Sequence, residues 1–187
     1  MDDKTKWNEK YNKRLNDEPV EPEPNRRLKD RVSFFSGGTA LDIACGLGGN
    51  SILLAEHNFH VQAIDISDVA IKYVQEQAAK KQLPIDTRIY DLTKLNKLNW
   101  KDQSFDIVVI TYYLDRALFP IVKSVIKENG YFFMETYYLT PEKEGKGISN
   151  QYKLQPKELQ TEFADWTIHY FEENEQEGRQ TIFCKKP

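Results

Sequence analysis

Apolar residues recur along this chain with two different periods, and the change between them divides it. Over residues 4–15, Trp7, Tyr11 and Leu15 fall at i, i+4 and i+8 among charged neighbours, which predicts a narrow amphipathic helix. Such a helix needs a surface to lie on. The segment DEPVEPEPN follows, and its three prolines alternating with acids predict an extended, solvated connector. Residues 26–35 read as a second helix, with Leu28, Val32 and Phe35 on one side and Gly37 and Gly38 as its stop.

From Thr39 onward short apolar runs alternate with helical patterns: TALDIAC, NSILLAEHN, FHVQAID, SDVAIKYVQEQAAKK and IDTRIYD. Strand, helix, strand, helix, strand is the sequence form of a parallel α/β sheet with helices on both faces. The fourth strand, FDIVVIT, is apolar nearly throughout, as a central strand buried on two sides requires. A helix is predicted from about residue 116 to 127, then a turn at ENG and a fifth strand, YFFMETYY. The polar stretch 139–155 is long enough to predict a functional or mobile loop, and its EKEGKG run reads as solvated. PKELQTEF predicts a further helix. DWTIHYFEEN and RQTIFCKK, joined by EQEG, predict an antiparallel hairpin at a sheet edge.

Composition narrows the function. At 187 residues, 40% hydrophobic and 29% charged, the chain suits one domain spanning 1–187, with 10 Phe, 10 Tyr and 3 Trp to close its core. No stretch resembles a membrane span, and the opening MDDKTKWNEKYNKR has no apolar signal-peptide core, so a cytoplasmic protein is expected. A net charge of −3 argues against a nucleic-acid surface and for a small-molecule partner, bound by a monomer or homodimer. Cys45 and Cys184 are far apart and form no CxxC. His57, His60 and His169 lack metal-ligand spacing, so no metal is expected.

The chemistry concentrates in LDIACGLGGNS, residues 41–51. A glycine-rich turn between the first strand and the next helix lets a ligand approach the backbone, and the helix N-terminus offers unpaired N–H groups. Asp65 stands at the end of the second strand, where a carboxylate can accept from both ribose hydroxyls, and Asp91 ends the third in the equivalent place. The run from Gly46 to Ser51 is one residue short of the dinucleotide motif GxGxxG, which keeps a NAD-dependent oxidoreductase as the alternative. Asp42, ahead of the turn, points away from it: a carboxylate there repels a pyrophosphate but suits the ammonium of an amino-acid-bearing cofactor.

In these residues the chain resembles the class I S-adenosylmethionine-dependent methyltransferases from about Ala40 onward. Their D-x-G-x-G-x-G motif is matched by the run from Asp42 to Gly48, except that Ala44 replaces the first glycine. The resemblance implies a Rossmann-like three-layer sandwich with a seven-stranded, mostly parallel sheet and an antiparallel strand in the C-terminal hairpin. It implies S-adenosyl-L-methionine as cofactor, held by Asp42, Ala44, Cys45, Gly46, Gly48 and Asn50 at the turn. Asp65 and Ile66 would meet the ribose, Asp91 and Leu92 the adenine edge, and Thr111 would end the fourth-strand motif. The opening W-x-x-x-Y helix, GGNS and YYLDRALFP are similar to the small tellurite-resistance-type and thiopurine-type enzymes. In those an N-terminal helix covers the cofactor, which assigns residues 1–36 to a cover, with Trp7, Tyr11 and Arg14 near the methionine end, and 39–187 to the binding core. Gly49 stands where the tellurite-resistance type tends to carry Arg.

The expected reaction is in-line methyl transfer to a small soluble acceptor, without an assigned catalytic residue. Tyr112, Tyr113 and Arg116 after the fourth strand, and Tyr137 after the fifth, are the candidate acceptor contacts. With no NPPY-like tetrapeptide present, a thiol, a chalcogen oxyanion or another small acceptor stays open. A non-catalytic S-adenosylmethionine-binding module is the third possibility.

Overall fold

The alternation of apolar runs is realised as seven strands in one sheet, ordered β3-β2-β1-β4-β5-β7-β6. The computed structural model describes residues 2–17, 21–95, 98–140 and 147–187, so most of the EKEGKG run and part of the acidic connector lie outside the described residues. The chain divides into two compact units, Met1–Asn99 and Trp100–Pro187.

In the first unit, helix α1 (Asp3–Asp17) and the short α2 (Arg26–Lys29) precede β1 (Gly38–Ile43), α3 (Gly49–Glu56), β2 (Phe59–Asp65), α4 (Asp68–Lys81) and β3 (Ile85–Ile89). The strands β1, β2 and β3 pair in parallel, with Asp42 beside Ala63 and Asp65 beside Ile89. Ala40, Leu41, Ile43, Leu54, Val61, Ile64 and Val74 are buried, each large side chain contributing roughly 1.5–3 kcal/mol by leaving water. Helix α4 is set by its cap: Ser67 Oγ accepts from Ala70 N–H at 3.1 Å. The second predicted helix is shorter than its pattern. Asn25 caps it, accepting from Arg27 and Leu28 N–H, but the α-helix ends at Lys29 and a single 3-10 turn, Val32–Phe34, replaces the rest. Four residues with one buried side chain, Leu28, carry too little packing to propagate a helix.

The second unit holds β4 (Phe105–Thr111), α5 (Leu118–Val125), β5 (Ile126–Tyr137), α6 (Glu158–Glu162), β6 (Thr167–Asn174) and β7 (Arg179–Lys185). Strands β4 and β5 are parallel, and β7 runs antiparallel to both β5 and β6, as the hairpin pattern predicts. One boundary differs from the sequence pattern. Strand β5 begins at Ile126, ahead of ENG, because the turn is absorbed as a bulge: Phe105 pairs with Ile126 and Ile107 with Tyr131. Asn129 takes φ 64°, and a Cβ on Gly130 would lie 2.8 Å from Ile126 and 2.9 Å from the Lys127 carbonyl oxygen. Phe132, Phe133, Phe163 and Phe183 form the aromatic centre of this unit, all fully buried.

Candidate functional site

The end of β1 runs directly into a tight turn in which Ala44 and Gly46 both adopt left-handed conformations, φ 56° and 54°. Left-handed backbone strains an alanine by roughly 1–2 kcal/mol, so the methyl at Ala44 is tolerated at a cost. Cys45 N–H donates to the Ile64 carbonyl at 2.9 Å, stitching the turn to β2, and burial keeps its thiol protonated by raising its pKa. Gly48 precedes α3 against Val74.

Two carboxylates converge on this turn. Asp65, 4% exposed at the end of β2, accepts from Gly46 N–H through Oδ2 and from Ser67 N–H through Oδ1, each at 2.9 Å. Asp42, 1% exposed, accepts from Ser51 Oγ at 2.6 Å through Oδ2. Its other oxygen, Oδ1, is buried without a hydrogen-bond partner. Burial, reinforced by the negative charge of Asp65 and opposed by the Ser51 bond, pushes the Asp42 carboxyl up to about 7. Burial also raises the Asp65 carboxyl, opposed by the backbone N–H groups of Ser67, Gly46 and Ile66.

Helix α1 lies against this site with no residue of its own fully buried. Tyr11 faces the turn: a Cβ on Gly46 would lie 3.0 Å from its hydroxyl oxygen. Burial and the nearby Asp65 raise the Tyr11 pKa, so the phenol stays neutral. Trp7 stacks on Tyr11 at 5.6 Å, and Lys10 lies over the Trp7 ring. Asn8 ties the helix to the start of α4, donating to Asp68 Oδ1 at 2.6 Å and accepting from Ser67 Oγ at 2.6 Å, while Lys4 pairs with Asp68 at 3.1 Å. Arg14 is exposed.

The remaining predicted residues are placed differently. Asn50 Oδ1 accepts from Asn25 N–H at 2.8 Å and so secures the segment before α2. The Asp91 carboxylate is taken up by its own turn, accepting from Thr93 N–H and Oγ1 and pairing with Lys94 at 3.1 Å. Leu92 is buried and Ile66 half-buried. Gly49 has no room for a side chain, since a Cβ there would lie 2.4 Å from the Glu23 carbonyl oxygen.

In the second unit Thr111 closes β4, and Tyr113 is half-buried. Arg116 is engaged by Glu158 through two bonds of 2.6 and 2.8 Å and by the Lys153 carbonyl at 3.1 Å. Tyr112, at φ 57°, bonds to the buried Glu135, and its ring lies 5.5 Å from that of Tyr137. Sequence reasoning missed Ser51, Ser67, Asn8, Arg179 and Thr181. The S-D-V-A cap signal could have flagged Ser67. Arg179 lies 44 residues from its partner Glu135, and no local pattern joins them.

A family described as a methyltransferase domain matches residues 34–182. The chain is similar to a probable S-adenosyl-L-methionine-dependent methyltransferase, TehB, of Haemophilus influenzae, with 24% identity over 151 residues that make 78% of this chain and 51% of that protein. It is similar to phosphoethanolamine N-methyltransferase 1 of Arabidopsis thaliana, with 26% identity over 145 residues, 77% of this chain and 27% of that protein. The chain thus spans about half the length of the first relative and about a quarter of the second. In fold it matches the crystal structure of TehB from Haemophilus influenzae, with a TM-score of 0.76 at 20% identity over 97% of this chain and 67% of that one. It also matches geranyl diphosphate C-methyltransferase from Streptomyces coelicolor A3(2), crystallised with S-adenosyl-L-homocysteine, with a TM-score of 0.64 at 13% identity over 85% of this chain and 77% of that one.

Proposed function

The chain belongs to the methyltransferase-domain family, and on that premise we propose that it passes the methyl group of S-adenosyl-L-methionine to a small soluble acceptor by in-line displacement. The observation that carries this reading is Asp42 Oδ1, a buried carboxylate oxygen without a partner beside a glycine turn. An oxygen left in that state costs roughly 1–3 kcal/mol, and a ligand ammonium removes the cost. The same charge, with Asp65 nearby, disfavours the pyrophosphate of a nicotinamide dinucleotide.

S-adenosylmethionine, when bound, supplies a methyl group on an already electrophilic sulfonium. The chain's residues then have mainly to align and to exclude water. Asp65 is fixed by Gly46 and Ser67 N–H and keeps lone pairs for the two ribose hydroxyls. Asp42 takes the ammonium, directly or through a water. Gly46 offers bare backbone, and Tyr11 with Trp7 roofs the turn. The thiol of Cys45, held protonated by burial, has no part as a nucleophile.

Calorimetry with S-adenosylmethionine, S-adenosylhomocysteine and NAD in parallel tests the reading, followed by a screen of thiols, oxyanions and amines for production of S-adenosylhomocysteine. Binding of both adenosyl ligands and turnover on at least one acceptor is expected. Binding of NAD with neither adenosyl ligand bound up to millimolar concentration would sink it.

A further inference from the structure

Lys153 is the one buried lysine or arginine among the described residues, at 5% exposure. The backbone on either side sets its place. A 3-10 turn, Asn150–Tyr152, ends on Lys153 in extended conformation, and Leu154 then bridges to Tyr138 just past β5. Leu154 N–H donates to the Tyr137 carbonyl at 2.9 Å, on the edge of β5 where Tyr112 N–H donates to the Glu135 carbonyl at 2.8 Å. Residues 153–154 therefore take up the edge that β4 gives up after Thr111. That position lies outside the carboxyl ends of two parallel strands, where open α/β sheets bind ligands.

The charge at this position is unanswered. An ammonium has three donors, and that of Lys153 meets one neutral acceptor, the Asn150 Oδ1 amide oxygen, at 3.2 Å. The carboxylate of this corner is spent on another cation. Glu158 accepts from Arg116 Nε at 2.6 Å through Oε1, and from Arg116 Nη2 at 2.8 Å and Gln155 N–H at 2.6 Å through Oε2. Arg116 Nη2 also donates to the Lys153 carbonyl at 3.1 Å, so the guanidinium braces the backbone of Lys153 without neutralising its side chain. A cation withdrawn from water in this way is costly, and a ligand carboxylate relieves the cost through a charge-assisted hydrogen bond.

From this arrangement we propose that the Lys153 ammonium anchors the carboxylate of a small organic-acid acceptor. The reaction rests on the methyl-transfer reading, whereas the carboxylate site rests on residues of Trp100–Pro187 alone. The sequence pattern points to Arg116 as the cation for an acceptor, but its guanidinium is matched by Glu158, and Lys153 is the cation left to serve. One ammonium matches one negative charge. A dianion such as inorganic phosphate brings a second charge into a buried place without a partner, and a cationic acceptor is repelled.

Titration of the isotope-labelled full chain with sodium acetate, followed by backbone amide shifts, tests the site, with sodium chloride and sodium phosphate as parallel arms at equal ionic strength. Acetate is expected to shift the amides of residues 150–155 with half-saturation at about millimolar concentration, and the other two anions not to saturate. Lys153→Met keeps the apolar stem and removes the charge, and it should weaken acetate binding about tenfold. Because the variant takes an unpaired charge out of a buried place, its denaturation midpoint should equal or exceed the parent's. Acceptors that the parent methylates should carry a carboxylate. Acetate shifts no different from those of chloride overturn the proposal, as do tighter binding of phosphate, unchanged acetate affinity or a lowered midpoint in Lys153→Met, and turnover confined to neutral or cationic acceptors. S-adenosylhomocysteine titrated into the same samples reports on methyl transfer separately: if it fails to bind while acetate binds, the reaction falls and the carboxylate site stands.

Discussion

Asp42 and Glu135 are both carboxylates buried near strand ends, at 1% and 0% exposure, yet their surroundings answer them in opposite ways. Glu135 is met by a guanidinium and two hydroxyls. Asp42 is met by one hydroxyl, a second carboxylate that raises its pKa and an orphaned oxygen. The first arrangement is complete without a ligand, and the second is not. A buried charge whose needs are met holds neighbours in place. One whose needs are unmet marks where something of opposite charge belongs.

The sharpest way to break that contrast is to remove each carboxylate and read stability against binding. Glu135→Ala should cost roughly 3 kcal/mol of folding stability, because it empties a wholly buried position and takes an acceptor from the buried Thr181 and from the partly exposed Arg179 and Tyr112. Chemical denaturation reads this directly, and a loss below about 1 kcal/mol would refute the view that Glu135 is fully compensated. Next in size is Asp65→Ala, which removes the acceptor proposed for two ribose hydroxyls. It should weaken S-adenosylhomocysteine binding roughly 100-fold in calorimetry, with folding checked by circular dichroism. Unchanged affinity would show that the ribose contact lies elsewhere.

Asp42 separates stability from binding through pH. Its carboxyl titrates near 7 in the folded chain against a usual value of 3.8, so between these values the folded state holds a proton that the unfolded state has lost. Stability from this group is therefore full below about pH 4 and declines as pH rises to about 7. Binding of a ligand ammonium runs the other way, because only the ionised form attracts it. Affinity for S-adenosylhomocysteine should rise about tenfold from pH 6 to pH 8, following the ionised fraction. Asp42→Asn should flatten both slopes, binding weakly at every pH while the apo protein at pH 8 is no less stable than the parent. Retention of the parent's pH-dependent affinity in that variant would remove Asp42 from the ammonium site.

The same contrast explains how much of the molecule could be read from sequence. The parallel sheet follows from the alternation of apolar runs with helical patterns, since a run such as FDIVVIT suits burial on both faces and little else. The glycine turn with Asp42 and Asp65 was legible because its parts lie within 24 positions on adjoining strands. The cluster around Glu135 was not, because its members come from the residue after β4, from β5 and from β7, and are joined by the parallel register that sets Thr111 beside Glu135 and the antiparallel register that sets Glu135 beside Thr181 and Tyr137 beside Arg179. Asp91 shows the reverse failing. Its position at a strand end matched a ligand contact, while Thr93 and Lys94, two and three residues on, engage its carboxylate. Helix 26–35 misled for a third reason: its pattern was apolar on one side, but tertiary burial reached Leu28 alone within α2.

The smallest expected effect tests the backbone beneath Asp42. Ala44 occupies φ 56° in the turn that carries Cys45 N–H to Ile64, so its methyl is held in left-handed space by the bonds on either side. Replacing it by glycine removes a strain of roughly 1–2 kcal/mol, but the unfolded chain gains freedom that offsets roughly 0.5–1 kcal/mol of the gain. Ala44→Gly should therefore stabilise the protein by about 0.5–1 kcal/mol, a rise of roughly 1–4 °C in Tm for a chain of this size. Glycine elsewhere in the same unit works against stability when φ is negative, so Ala70→Gly in α4 is the matched control and should lose roughly 1 kcal/mol. If both variants lose stability alike, the turn is not strained at Ala44, and the backbone that positions Asp42 relaxes differently from the conformation described.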